Sequence, residues 1–123
     1  MTLPLQKKVL FVFSKPPHSS QASKEGLDAL LTTSAFGQNV SLLLMGDGIY
    51  QALSNQEAAV LPTKNTAAIF GSLEMYGINN IYAQQQALNE RSIDIKSLNI
   101  SPAPLSNTEI SQLLSQQDKI LTF

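Results

Sequence analysis

The sequence predicts an α/β fold: a three-layer α/β/α sandwich around a five-stranded parallel sheet. Three observations carry this. The segment Val9–Leu31 reads as a buried strand, Val9-Leu10-Phe11-Val12-Phe13. A polar loop follows, Ser14-Lys15-Pro16-Pro17-His18-Ser19-Ser20, and then a helix, Glu25-Gly26-Leu27-Asp28-Ala29-Leu30-Leu31. Strand candidates alternate with helix candidates along the whole chain, the pattern of a mostly parallel sheet with helices on both faces. The first strand is continuously apolar rather than alternating, as a strand covered on both faces must be.

The elements follow in order. Lys8–Phe13 is the first strand, expected to be central. Leu27, Leu30, Leu31 and Ala35 fall at helical spacing, and Gly37 stands where a C-terminal cap belongs. Val40–Met45 is the second strand, ended by Gly46-Asp47-Gly48. A short helix is expected over Gly48–Leu53, and Ser54–Lys64 reads as an irregular loop closed by Pro62. Ile69, Phe70 and Leu73 make an apolar stripe in a helix over Asn65–Tyr76, which Gly77 can end. Asn80–Gln84 is a short third strand, and Gln86–Arg91 a short helix. A weaker fourth strand is placed at Ser97–Ile100, stopped by Pro102 and Pro104. Ser106-Asn107-Thr108-Glu109 is a capping box ahead of a helix with Ile110, Leu113 and Leu114 on one face. The last strand is Lys119–Phe123.

Composition narrows the function. The 123 residues suit one domain over 1–123, and 43% hydrophobic residues argue against disorder. Eight basic residues against nine acidic ones leave a net charge of -1, with no basic run beyond Lys7-Lys8. A nucleic-acid binder would show a basic patch, so direct RNA or DNA binding is disfavoured. A charged fraction of only 14% permits association between subunits. Cysteine is absent, which removes disulfides, thiolate chemistry and cysteine metal sites together. No signal-peptide pattern and no bilayer-length apolar run are present, so the expected compartment is the cytoplasm.

In a parallel sheet, ligands and partners gather at the carboxyl ends of the strands. Three loops should meet there: Ser14–Lys24, Gly46–Tyr50 and Gln84–Ala87. Candidate strand-end or interface residues are His18, Asp47, Tyr50, Gln51 and Gln84. The first loop lacks glycine, and Pro16 and Pro17 remove two N–H donors, so it does not form a phosphate cradle. Walker and dinucleotide patterns are absent. A receiver domain would need acids after the first strand and an aspartate after the third, where Ser14 and Gln84 stand. His18 is the sole histidine, with no second histidine or cysteine to share a metal and no triad around it. It reads as a loop residue that hydrogen-bonds backbone, with a chemical role as the competing reading. Glu90 and Asp94 read as a solvated face. Tyr76, Phe70 and the surroundings of Gln51 are expected contact anchors.

Several segments carry a family resemblance. Phe11-Val12-Phe13-Ser14, Pro17-His18 and Glu25-Gly26-Leu27-Asp28-Ala29-Leu30-Leu31 resemble the opening of the TusC-type branch of the DsrE/DsrF family of sulfur-relay subunits. Met45-Gly46-Asp47-Gly48-Ile49-Tyr50-Gln51 is similar to that family's Asp-Gly-aliphatic-aromatic-Gln turn. Ala87-Leu88-Asn89-Glu90-Arg91 is similar to its Leu-x-Glu-Arg helix, and Pro104-Leu105 and Ile120-Leu121-Thr122-Phe123 also fit. The resemblance implies a heterohexamer with TusB-like and TusD-like subunits. Such a complex passes persulfide sulfur from TusA toward TusE and 2-thiouridine at the tRNA wobble position. It also implies that the reactive cysteine, in the loop after the third strand, belongs to the TusD-like partner. Here that loop reads Gln84-Gln85-Gln86. The expected role is a non-catalytic structural subunit without cofactor. The alternatives are a small ligand-binding or enzymatic module using Ser14–Ser20 and His18, and a self-assembling protein of the same fold without a sulfur role.

Overall fold

The computed structural model describes residues 6–16, 22–53 and 71–123. Five parallel strands form one sheet: β1 (Lys8–Phe13), β2 (Asn39–Leu44), β3 (Asn80–Gln84), β4 (Ala103–Leu105) and β5 (Lys119–Thr122). Their spatial order is β4-β3-β2-β1-β5. The strand β1 is internal, with Phe11 opposite Leu42 of β2 on one side and Leu121 of β5 on the other. Its five apolar residues are all buried, which explains the continuous run in the sequence. The geometric middle of the sheet is β2, equally buried after its first residue.

Alternation along the strands sorts the core into two layers. Phe11, Phe13, Leu42, Leu44, Ile81 and Ala83 point to one face. That face receives α1 (Ala22–Ala35) through Leu27 and Leu30, and α2 (Gln85–Glu90) through Ala87 and Leu88. Leu10, Val12 and Leu43 point to the other face, where α3 (Asn107–Ser115) covers them with Ile110, Leu113 and Leu114. Burying each such side chain stabilises the fold by roughly 1.5–3 kcal/mol, so the sheet and these helices cohere through the two layers.

Helix ends follow the chemistry read from the sequence. Gly37 takes φ +84° just past α1, and its N–H donates to the Ser34 carbonyl at 3.0 Å. Ser106 and Glu109 close a reciprocal capping box: Ser106 N–H donates to Glu109 Oε1 at 2.9 Å, and Glu109 N–H to Ser106 Oγ at 3.2 Å. These bonds hold the Glu109 carboxyl below its ordinary value of 4.5, the backbone N–H of Ser106 contributing most. The segment expected as a short helix after β2 is a 3-10 helix, Gly46–Ala52. Of the helix expected over Asn65–Tyr76, the part through Phe70 lies outside the described residues. Its end is a 3-10 turn, Leu73–Tyr76, stopped by Gly77.

One element is placed differently from the sequence reading. The fourth strand is Ala103–Leu105, not Ser97–Ile100. Residues Ile95–Ser97 form a 3-10 turn capped by Asp94, whose carboxylate accepts from Lys96 N–H at 2.9 Å. Leu98 makes only an isolated antiparallel bridge to Leu53. Pro104, expected from the sequence to stop a strand, sits inside β4 opposite Ala83. The strand tolerates it because β4 is an edge, where proline's missing N–H breaks no interior ladder.

Candidate functional site

The carboxyl ends of β1, β2 and β3 bring the expected loops together. After β1, Ser14 N–H donates to the Phe123 carbonyl at 2.8 Å, and the Lys15 carbonyl accepts from Gln51 Nε2 at 3.0 Å. Gln51 is only 1% exposed, so its amide ties the first loop to the second instead of offering an anchor on the surface. Tyr76, by contrast, is 61% exposed, beside Met75 at 86%. His18 lies outside the described residues, as do Ser19, Ser20 and Phe70, so the first loop is described only as far as Pro16.

After β2 the chain bends at Met45, whose N–H donates to the Phe13 carbonyl at 3.0 Å. The 3-10 helix then passes so close to β1 that a Cβ on Gly48 would lie 1.7 Å from the Phe13 carbonyl oxygen. Only glycine permits this approach. The turn presents Asp47 outward, and Arg91, just past α2, meets it. Arg91 Nη2 and Nε donate to Asp47 Oδ1 at 2.9 and 3.2 Å, and Nη1 donates to the Ala87 carbonyl at 3.2 Å. The guanidinium lies 6.0 Å from the centroid of the Tyr50 ring, at the edge of cation–π range. Asp47 and Tyr50 are thus partners of one arginine. The arrangement is a clamp between two loops; its cation is already neutralised by a carboxylate.

After β3 stands a chain of amides. Gly46 N–H donates to Gln84 Oε1 at 3.1 Å, and Gln84 Nε2 donates to Asn107 Oδ1 at 3.1 Å. Asn107 Nδ2 donates in turn to Gln86 Oε1, and Gln86 Nε2 to Glu90 Oε1 at 2.7 Å. Gln84 therefore links the β2 turn to α2 and α3. The sequence reading found Gln84, Asp47, Tyr50 and Gln51 but assigned no role to Arg91, Gln86 or Asn107. Arg91 lies in a segment that carried the family resemblance, which is a signal without a role. Asn107 opens α3 and carries no local signal; only the sheet order brings it to Gln84. Among the described residues, no group of three or more histidine, cysteine or acidic side chains could hold a metal ion. No described helix is long and apolar enough to cross a membrane.

A small three-layer domain with a five-stranded parallel sheet, a glycine-tight turn after β2 and no thiol at the end of β3 defines the class. The profile of the DsrE/DsrF-like family matches residues 7–123, and the chain belongs to that family. Among curated relatives it is 37% identical to the Protein TusC homolog of Aliivibrio fischeri over 113 residues, covering 92% of this chain and 96% of that protein. It is 31% identical to the Protein TusC homolog of Vibrio vulnificus over 116 residues, covering 94% and 98%. Among solved structures, the ychN protein from E. coli superposes with a TM-score of 0.78 at 20% identity, covering 97% of this chain and 100% of that one. A conserved Bacteroides thetaiotaomicron protein gives a TM-score of 0.68 at 14% identity, covering 95% of each chain. These two structures share the fold.

Proposed function

We propose that this chain is the non-catalytic, TusC-type subunit of a cytoplasmic sulfur-relay complex. Family membership and likeness to TusC homologues support the sulfur-relay role. The observation that carries the non-catalytic part is chemical. A persulfide needs a thiolate acceptor, and the chain has no cysteine. Its three methionines offer thioethers, which cannot take up sulfane sulfur as a thiolate does. At the end of β3, Gln84 is committed to Gly46 and Asn107 as a structural tie.

In this reading the chain holds TusB-like and TusD-like subunits in a heterohexamer, and the TusD-like subunit carries the reactive cysteine. Sulfur enters from TusA and leaves through TusE toward 2-thiouridine at the tRNA wobble position. The chain itself touches no tRNA, consistent with its net charge of -1. Its contribution is to give the reactive partner its place in the assembly.

The test is a relay reconstituted with radioactive sulfur and resolved without reductant. Label should travel on the TusD-like subunit and be absent from this polypeptide. Deleting the gene should lower 2-thiouridine in tRNA, and the wild-type chain should restore it. Label covalently on this chain would overturn the non-catalytic role. Normal thiolation in the deletion strain would overturn the relay assignment.

A further inference from the structure

The two edges of the sheet differ. The β4 edge is three residues long and contains Pro104, which has no N–H to offer. The β5 edge contains no proline, and Phe123, just past it, shows how its main chain is turned. Phe123 N–H donates to the Val12 carbonyl, and the Phe123 carbonyl accepts from Ser14 N–H, both at 2.8 Å. Phe123 thus directs both main-chain groups toward β1. These directions alternate from residue to residue along a strand. Lys119 and Leu121 therefore face β1 as well, while Ile120 and Thr122 turn their N–H and C=O groups away from it. Both residues are exposed, Ile120 at 42%, so α3 does not cover the strand on its face of the sheet. No described residue takes up the outward groups of Ile120 and Thr122.

We propose that two copies of this chain join their β5 edges, antiparallel across a two-fold axis at Leu121. The result is one continuous sheet with five strands from each copy. The proposal does not rest on the relay reading.

The edge itself selects a second copy as its occupant. With the axis at Leu121, Ile120 stands opposite the partner's Thr122, and Thr122 opposite the partner's Ile120. Each pair exchanges N–H and C=O bonds, so every outward group is satisfied. The side chains agree with this register. On the α3 face, Ile120 meets Thr122, two β-branched residues suited to a cross-strand pair. On the other face, Leu121 meets the partner's Leu121. Lys119 stands opposite the partner's Phe123, whose ring its aliphatic stem can cover. No like charges are opposed. Moving the axis to Ile120 would instead set Thr122 against Asp118, whose N–H is already given to the Lys8 carbonyl. Because Pro104 interrupts the other edge, the sheet extends on one side only. The assembly closes as a pair and does not grow into a filament.

The chain has no cysteine, so a single introduced thiol reports the axis directly. Residues opposed in a non-hydrogen-bonded antiparallel pair have Cα atoms about 4.5 Å apart, within the range a disulfide spans. In the purified chain, Leu121→Cys should form a disulfide-linked dimer under oxidised glutathione. Thr32→Cys, exposed on α1, is the control and should remain largely monomeric. Sedimentation equilibrium of the unaltered chain should show monomer and dimer in exchange. Ile120→Lys with Thr122→Lys sets like charges opposite each other across the axis; Ile120→Lys with Thr122→Glu sets opposite charges there. The first double variant should dimerise at least about tenfold more weakly than the second, with both folded by circular dichroism. A chain that stays monomeric at every concentration overturns the proposal. So does a dimer indifferent to the charge pattern, or a thiol at 121 that links no faster than one at 32. If Leu121→Cys, co-expressed with the relay partners, links to a TusD-like chain in place of a second copy, the proposal fails and the relay reading stands.

Discussion

Replacing Gly48 with alanine tests the tightest site among the described glycines. The added Cβ would lie 1.7 Å from the Phe13 carbonyl oxygen and 2.5 Å from its carbon. Both are main-chain atoms of a fully buried strand, so neither can swing aside as a side-chain tip would. The 3-10 helix and β1 would have to part by about 1.7 Å to reach ordinary contact at 3.4 Å. That movement breaks the 3.0 Å bond from Met45 N–H to the same carbonyl, a loss of about 1 kcal/mol. Overpacking adds roughly 1–3 kcal/mol, for a total of about 2–4 kcal/mol. At about 4 °C per kcal/mol for a domain of this size, the unfolding midpoint should fall by roughly 8–16 °C. Gly37→Ala is the control. Nothing lies within 4 Å of its Cβ, and only its φ of +84° opposes a side chain. Its cost should be about 1 kcal/mol, partly offset by a stiffer unfolded chain. Urea and thermal unfolding of both variants give the comparison. If Gly48→Ala is no less stable than Gly37→Ala, close approach is not what requires glycine at the β2 turn.

The Asp47–Arg91 clamp is half exposed on its acidic side, so Asp47→Ala should cost only about 0.5–1 kcal/mol. Arg91→Ala should cost more, since it also removes the Nη1 bond to the Ala87 carbonyl and the guanidinium beside the Tyr50 ring. Arg91→Lys should not restore the loss, because one ammonium cannot reproduce the guanidinium fork; a double-mutant cycle in urea reads all three. Glu109 is held below its ordinary value by Ser106. Its stabilising contribution is therefore full above the unfolded-state value and is lost as pH falls through the lower folded-state value. Helicity followed from about pH 6 to pH 3 should show an acid-side loss that Glu109→Gln reduces; an unchanged acid limb would remove the capping box from the account.

Where a structural cause is local, it could be read from the sequence. The buried run Val9–Phe13 marked an internal strand, Gly37 marked the end of α1, and Ser106 with Glu109 marked the start of α3. In each case neighbours within a turn supply the physics. The fourth strand escaped because proline is judged by its missing N–H, and that judgement depends on whether the strand is an edge. The sequence around Pro104 does not reveal the neighbours of β4. The clamp escaped for a similar reason, since Asp47 and Arg91 are 44 residues apart.

Pairing of β1 with β5 has a consequence for how the chain folds. Lys8 N–H donates to Asp118 Oδ2 at 2.8 Å, and Asp118 N–H returns a bond to the Lys8 carbonyl at the same distance, across 110 residues. β1 therefore waits for β5, more than a hundred residues later, before both of its edges are satisfied. Contacts so distant in sequence close slowly. Until they do, this continuously apolar strand has one open flank, the kind of transient surface that draws chains into aggregates. Synthesis alongside its binding partners, or under a chaperone, shortens that exposure. A truncation before Lys119 should damage solubility, because it removes the strand paired with Val9–Val12 and the Phe123 ring stacked on Phe11.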